Sequence, residues 1–282
     1  MPSWLNRLVS RLVSRDRPVV PVVRLSGAIG AAGMPIRSTI ALASVEPALE
    51  RAFSFKGPAV AILVNSPGGA AVQAHLIFKR IRSLAEEKHK KVIVAVEDVA
   101  ASGGYMIALA GDEIVVDASS IVGSIGVVSA GFGFPALLER FGIERRVHTA
   151  GKSKAMLDPF QPEREEDVAR LRAIQEDVHA AFIALVKVRR GAVLADYPDL
   201  YSGAFWSGSK AVALGLADRL GDLRSVLRER YGKNVRLRLI PTERSAWRRR
   251  LGLGAGDRLA AGFADRLIAL VEERLLWGRF GL

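Results

Sequence analysis

Hydrophobic and polar positions alternate in blocks along the middle of the chain. Short runs rich in β-branched residues predict strands at residues 19–25, 58–65, 91–97, 113–117 and 145–148. Longer stretches with apolar residues at helical spacing predict helices near residues 72–85, 135–141 and 163–189. Because strands that alternate with helices are typical of β-α units, we predict an α/β fold with a parallel sheet.

The two ends of the chain have a different pattern. Residues 1–17 place Arg7, Arg11 and Arg15 at four-residue spacing among apolar residues, which predicts a basic amphipathic segment. Pro241 and the arginine-rich stretch after it indicate a boundary near residue 240. We therefore predict a central domain at residues 18–240 and a basic amphipathic helical extension at residues 241–282.

Composition narrows the class of protein and the kind of partner. The chain has 282 residues, half of them hydrophobic, and no cysteine, so a large core fits while disulfides, thiolate zinc sites and a cysteine nucleophile are excluded. The formal net charge is +12, and much of it lies in the two amphipathic ends. That arrangement favours peripheral binding to an anionic membrane over nucleic acid. The alternative, in which these stripes pack on the domain or on a sister subunit, stays open.

The sequence contains neither a membrane-spanning segment nor a cleavable signal peptide that we can recognise. No window reaches the ~18 uninterrupted apolar residues that a spanning helix needs. Pro18, Pro21 and Arg24 interrupt the region where a signal peptide requires an apolar core. We expect a protein that is cytoplasmic or peripheral to a membrane.

Two glycine-rich turns follow predicted strands and precede predicted helices. Residues 65–69 read Asn-Ser-Pro-Gly-Gly, and the paired Gly68 and Gly69 let main-chain N–H groups approach a substrate, as an oxyanion hole requires. Residues 100–105 read Ala-Ala-Ser-Gly-Gly-Tyr and place Ser102 at the start of a helix. Ser102 is either a nucleophile or a plain helix cap.

A serine nucleophile needs a base to take its proton, and this sequence offers histidine or lysine. None of the four histidines, His75, His89, His148 and His179, lies in a recognisable catalytic pattern. The segment at residues 151–154, Gly-Lys-Ser-Lys, follows a predicted strand and carries two lysines. Spacing alone does not choose between them.

Taken together, these motifs resemble the signal peptide peptidase A type of serine protease in the Clp protease/crotonase superfamily. The turn at residues 65–69, the Ser102 turn, the Gly-Ser-Ile-Gly-Val element at residues 123–127 and the element ending at Lys154 occur in the family's order. The resemblance implies a Clp protease/crotonase-like fold of repeated β-β-α units and a Ser-Lys dyad. Ser102 is then the nucleophile, Lys154 the base, Ser124 the residue that orients the base, and Gly69 with Gly68 the oxyanion hole.

The resemblance implies a serine endopeptidase without a metal or organic cofactor. Its expected substrates are peptides, including remnant signal peptides or membrane-protein fragments, and its expected assembly is a closed homo-oligomeric ring. A crotonase-like acyl-CoA hydratase or isomerase would instead use carboxylates at the reacting carbon, and Glu97 and Asp98 show no such pattern. A non-catalytic membrane-associated scaffold of the same fold would need neither Ser102 nor Lys154.

Overall fold

A computed structural model of the chain describes residues 18–30, 39–242, 274 and 277–281. The predicted amphipathic segment at residues 1–17 lies outside the described residues, as does most of the predicted extension at residues 241–282. In the described part of the chain, no helix has both the length and the apolar composition to cross a membrane.

The centre of the molecule is one mixed sheet. Its eight described strands are β1 Val19–Ser26, β2 Ala59–Ser66, β3 Lys91–Ala101, β4 Glu113–Val116, β5 Ile121–Gly123, β6 Phe205–Ser207, β7 Arg219–Leu220 and β8 Arg236–Ile240. The main order is β6-β5-β3-β2-β1-β8, and β4 pairs with both β3 and β7. All pairs are parallel except β5 with β6. The predicted α/β class with a parallel sheet is confirmed.

Helices cover both faces of the sheet. The described helices are α1 Leu42–Ser54, α2 Ala71–Glu87, α3 Gly103–Ala108, α4 Pro135–Arg140, α5 Glu165–Arg190, α6 Gly208–Ala213 and α7 Leu223–Tyr231. Helices α1, α2, α3 and the second half of α5 pack on one face and form the larger core cluster. Helix α7 packs its apolar side on the other face. This double cover explains why β2 is an almost continuous apolar run rather than an alternating one.

Several strands differ from the sequence-based expectation. Strand β3 continues beyond residue 97 to Ala101, so it delivers the chain directly to Ser102. The predicted strand at residues 145–148 is wrong: these residues are in no strand, because no described strand lies beside them to supply hydrogen bonds. The short strands β5 and β6 were not predicted from the sequence.

The end of the chain packs against the sheet on the same face as α7. Trp277 and Phe280 contact Val99, Ala101 and Ile121. The ring of Phe280 also meets that of Phe205 edge-on, with ring centroids 5.0 Å apart. These contacts support the end of β3 from the face opposite the larger core cluster.

Residues 127–160, which we call the arm, have mostly exposed side chains. The Phe134 and Phe160 rings lie 5.6 Å apart, and the Phe134 N–H donates to the Pro159 carbonyl, so the two ends of the arm pack together. The arm nevertheless exposes large apolar side chains: Val127, Val128, Phe132, Phe134, Leu137, Phe141, Ile143 and Phe160. Eight large apolar side chains are thus exposed within the 34 residues of the arm.

Candidate active site

The candidate residues before the arm meet at the carboxyl ends of three neighbouring strands. Ser66 at the end of β2 is in register with Ala100 of β3, and Ala101 is in register with Gly123 of β5. Neighbouring strands lie about 4.8 Å apart, so the turns that follow β2, β3 and β5 are adjacent. The fold thus brings Ser102 next to the glycine turn on one side and to Ser124 on the other.

Ser102 has a strained backbone and a free hydroxyl. Its φ is 52° and its ψ is −122°, which an L-residue adopts only when its surroundings hold it there. Its N–H donates to the Gly123 carbonyl at 2.8 Å, and its carbonyl accepts from Met106 N–H at 3.0 Å. Its side chain is half-buried and makes no hydrogen bond with any described residue. A serine that merely caps α3 would use its hydroxyl to accept from the helix, and Ser102 does not.

The two glycines of the first turn have different roles. The N–H of Gly68 donates to Ser66 Oγ at 3.2 Å, so its hydrogen is already used. Gly68 instead packs against the nucleophile, because a Cβ placed on it would lie 2.8 Å from Ser102 Cβ. The N–H of Gly69 donates to no acceptor among the described residues. Of the two predicted oxyanion residues, Gly69 has the free donor and Gly68 provides close packing.

A second free donor was missed by the sequence reasoning. The N–H of Gly103 also has no acceptor among the described residues, and a Cβ placed on Gly103 would lie 3.6 Å from Gly69 N. Gly103 directly follows Ser102 and begins α3. The first N–H groups of a helix have no partner within the helix, and that rule could have identified this donor from the sequence.

Ser124 lies one residue beyond the carbonyl that holds Ser102. It is 6% exposed, its φ is 53°, and its N–H donates to the Ala204 carbonyl at 2.7 Å. Its hydroxyl makes no hydrogen bond with a described residue. Two serines at positive φ, whose hydroxyls bond to no described residue, therefore directly follow two neighbouring strands.

The predicted base makes no described hydrogen bond to Ser102 in the single chain. Lys154 is in the arm, is exposed, and its side chain makes no described hydrogen bond or ion pair. Lys152 is also exposed, and its Nζ lies 3.8 Å from a carboxylate oxygen of Glu166. The structure therefore brings together Ser102, Gly68, Gly69 and Ser124, and it shows no described bond between the Lys154 side chain and any of them.

None of the histidines bonds to Ser102 in this structure. His179 on α5 contacts the Ile125 carbonyl through Nε2 at 3.0 Å, which ties α5 to the residue after Ser124. Burial lowers the pKa of His75, and the charge of Lys79 lowers it further, so this ring on α2 is neutral near pH 7. His89 and His148 are a surface loop residue and an arm residue, respectively.

Two family models match the chain. The model for peptidase family S49 matches residues 85–235. The model for the ClpP-like SDH-type serine proteinase matches residues 5–145. The second match confirms the predicted Clp protease/crotonase-like fold class.

Relatives carry two kinds of name. Proteins of Brucella abortus and Brucella melitensis named as the Na(+)/H(+) antiporter NhaA are each 55% identical over 290 residues, covering 100% of this chain. This chain spans only 39% of the length of each of these curated relatives. Their name describes much longer proteins than the segment that matches.

Other relatives are named as proteases. A Synechocystis protein so named is 30% identical over 245 residues, covering 85% of this chain and 86% of the relative. The chloroplastic serine protease SPPA of Arabidopsis thaliana is 30% identical over 212 residues, covering 73% of this chain and 31% of the relative. With the family match and the nucleophile turn in place, the chain belongs to peptidase family S49, the signal peptide peptidase A type of serine protease.

Proposed function

We propose that this chain is a serine endopeptidase that cleaves peptides with a Ser102–Lys154 dyad. One observation carries the proposal: the Ser102 hydroxyl lies on a strained backbone and bonds to no described residue, and beside it the N–H groups of Gly69 and Gly103 have no acceptor in the described part of the chain. A nucleophile needs a free hydroxyl, and the tetrahedral intermediate needs donors beside it. The hydroxyl and the two N–H donors lie together at the carboxyl ends of β2 and β3.

The proposed reaction is acyl transfer. Lys154 takes the hydroxyl proton of Ser102, and the serine oxygen bonds to the peptide carbonyl carbon. The N–H groups of Gly69 and Gly103 stabilise the oxyanion that forms. Lys154 then gives the proton to the leaving amine as the peptide C–N bond breaks. Water, deprotonated by the same amine, releases the acyl group and restores Ser102.

A lysine acts as a base only when its amine is neutral, and removal from water favours the neutral form. Lys154 is exposed in the single chain, so the dyad requires a rearrangement that covers it. The exposed apolar side chains of the arm supply a driving force, since covering them with another surface is favourable. We propose that assembly into a homo-oligomeric ring covers the arm and completes the site, with Ser124 orienting the amine.

Two substitutions test the dyad against a matched control. Ser102→Ala and Lys154→Ala should each abolish hydrolysis of a short fluorogenic peptide, while Lys152→Ala should retain it. Because the base must be neutral, the wild-type rate should rise towards alkaline pH. The dyad is refuted if Lys154→Ala hydrolyses the peptide at the wild-type rate or if Lys152→Ala is the inactive variant.

The proposed substrates are remnant signal peptides or fragments of membrane proteins, and the proposed location is the cytoplasm or a membrane surface. The name of one relative, the serine protease SPPA, supports a peptide substrate. The amphipathic pattern at residues 1–17 supports peripheral binding to anionic lipid.

Vesicle binding tests the membrane proposal. Exchange of Arg7, Arg11 and Arg15 for glutamine should weaken co-sedimentation with vesicles that contain phosphatidylserine, because each arginine contributes about 1 kcal/mol near an anionic surface. Hydrolysis of the short soluble peptide should not change. Unsubstituted protein that stays in the supernatant at low salt would exclude membrane binding.

No observation favours the acyl-CoA hydratase or isomerase alternative. Glu97 forms an ion pair with Arg24 at 2.8 Å, and Asp98 accepts a hydrogen bond from Asn65 at 2.6 Å, so both carboxylates already have partners. The scaffold alternative predicts a protein whose Ser102 does not react with a fluorophosphonate.

A further inference from the structure

Strand β3 bulges just before it reaches the nucleophile. Val64 is in register with Val96 and Ser66 with Ala100, so one residue of β2 faces three residues of β3. The two extra residues cannot pair normally with β2. Bulges of this kind change the direction of a strand and of the side chains that follow it.

The β2 residue that faces the bulge is Asn65, and its side chain holds the bulge at two points. Asn65 Oδ1 accepts from the Val99 N–H at 3.2 Å, and Asn65 Nδ2 donates to Asp98 Oδ2 at 2.6 Å. Asn65 is 6% exposed and its bond to the Val99 N–H is buried, whereas its bond to the exposed Asp98 is only partly buried. A third bond, from Ser120 Oγ to the Glu97 carbonyl at 2.6 Å, fixes the start of the bulge.

Asn65 also belongs to the turn that carries the oxyanion donor. The next residue, Ser66, accepts the Gly68 N–H through its hydroxyl at 3.2 Å. Ser102 is the third residue after Val99, and Gly69 is the fourth residue after Asn65. One side chain thus connects the segment that positions the nucleophile with the segment that positions the free N–H of Gly69.

We propose that Asn65, with Asp98 as its partner, is the positioning residue that sets the distance between Ser102 Oγ and the Gly69 N–H. The inference rests on the proposed function, because that distance matters only if an oxyanion forms there. Asn65 touches neither substrate nor a reacting atom in this role. It acts through the β3 bulge.

The chemistry explains why this position needs an amide. The side chain must accept one hydrogen bond, from the Val99 N–H, and donate another, to the Asp98 carboxylate. A carboxylate at position 65 could accept from Val99 but would face the Asp98 carboxylate without a proton between them. Reversal of the pair, with aspartate at 65 and asparagine at 98, restores both hydrogen bonds.

The test compares reaction rates of four variants with a fluorophosphonate probe and with a short fluorogenic peptide. We expect Asn65→Asp to lower kcat and the probe rate about 10- to 100-fold with KM nearly unchanged, since small displacements of reacting groups have effects of that size. Asp98→Asn keeps an acceptor for Asn65 and should stay near wild type. The double variant Asn65→Asp/Asp98→Asn should recover most of the lost rate.

The fourth variant, Asp98→Ala, removes an exposed side chain and keeps the test valid if Asn65→Asp fails to fold. It should lower the probe rate by roughly 3- to 10-fold. This loss is smaller than that of Asn65→Asp, because a missing hydrogen bond displaces the bulge less than two facing carboxylates do. The matched control is Asp112→Ala, because Asp112 Oδ2 accepts the Val92 N–H at the opposite end of the same strand. That control should lower the unfolding midpoint and leave the probe rate of the folded protein unchanged.

The outcomes separate the positioning role from the proposed function. If wild type reacts with the probe at Ser102 but Asn65→Asp and Asp98→Ala react equally fast, only the role of Asn65 is overturned. The same holds if the double variant is no faster than Asn65→Asp, or if Asp112→Ala loses as much rate. A wild-type protein that does not react at Ser102 overturns the proposed function and the positioning role together.

Discussion

Substitution of Gly68 by alanine tests the packing between the glycine turn and the nucleophile. The new Cβ would lie 2.8 Å from Ser102 Cβ, 2.9 Å from the Ala101 carbonyl oxygen and 3.1 Å from Gly103 N. Two of these three atoms belong to the backbone and cannot rotate away. Ordinary contacts begin near 3.4 Å, so Ser102 or the turn must move by roughly 0.6 Å.

The size of the effect follows from that displacement and from the backbone strain. Gly68 has a φ of +106°, which an alanine adopts only at a cost of about 1–3 kcal/mol. A shift of some tenths of an ångström at the nucleophile should lower its reaction rate about 10- to 100-fold. We expect Gly68→Ala to lower both the free energy of unfolding and the reaction rate of Ser102. The loss of rate should be larger than the unfolded fraction of the protein explains.

Gly232 provides the matched control. Its φ is +89°, and a Cβ placed on it would meet no atom within 4 Å. Gly232→Ala should therefore show the backbone strain without the clash. The assay is the rate of the folded protein with a fluorophosphonate, measured beside a urea unfolding curve for each variant. Equal probe rates for Gly68→Ala and Gly232→Ala would show that the contact between Gly68 and Ser102 does not control the reaction.

Three further predictions concern other parts of the molecule. Ser124→Ala should lower kcat about 10- to 1000-fold with little change in the unfolding midpoint, as expected for a residue that orients the base; wild-type kcat would exclude that role. Phe280→Ala should lower the free energy of unfolding by about 2–4 kcal/mol because that ring is 7% exposed, whereas Phe132→Ala, at a 77% exposed ring, should change it little in the same urea titration. Asp222 caps α7, and the Ser225 N–H lowers the pKa of its carboxyl. The cap therefore contributes fully to the free energy of unfolding above the ordinary aspartate pKa of about 3.9, and this contribution is lost as the pH falls through the lowered pKa. The free energies of unfolding of wild type and Asp222→Ala should differ by about 1 kcal/mol at pH 7 and become equal in acid.

Local patterns were sufficient for the elements that border the site. Strand β2 and helix α2 have the composition of a buried strand and an amphipathic helix, and the glycine turn between them needs conformations that few other residues adopt. The Ser102 turn was recognisable for the same reason. In such segments the conformation is determined by a few residues that are neighbours in the sequence.

Other features depend on contacts between distant segments. The strand predicted at residues 145–148 has suitable residues but no described strand beside it, while the three-residue strand β5 forms because β3 and β6 both pair with it. A strand needs partners, and its own residues do not say whether partners are present. The sequence also does not show that the Gly68 N–H has an acceptor while the Gly69 N–H has none among the described residues. That difference depends on where the fold places the hydroxyl of Ser66.

The α/β class and the order of the motifs follow from the sequence, because each depends on residues close together along the chain. The same local pattern left Ser102 as either a nucleophile or a helix cap, and the family resemblance pointed to it as the candidate nucleophile. Only the fold shows which N–H groups beside Ser102 have no acceptor among the described residues, that the Asn65 side chain bonds to the β3 bulge, and that Lys154 is exposed in the single chain. These properties depend on distances between residues that are far apart in the sequence. Hydrogen bonding and burial are set by those distances, and residue type alone does not contain them.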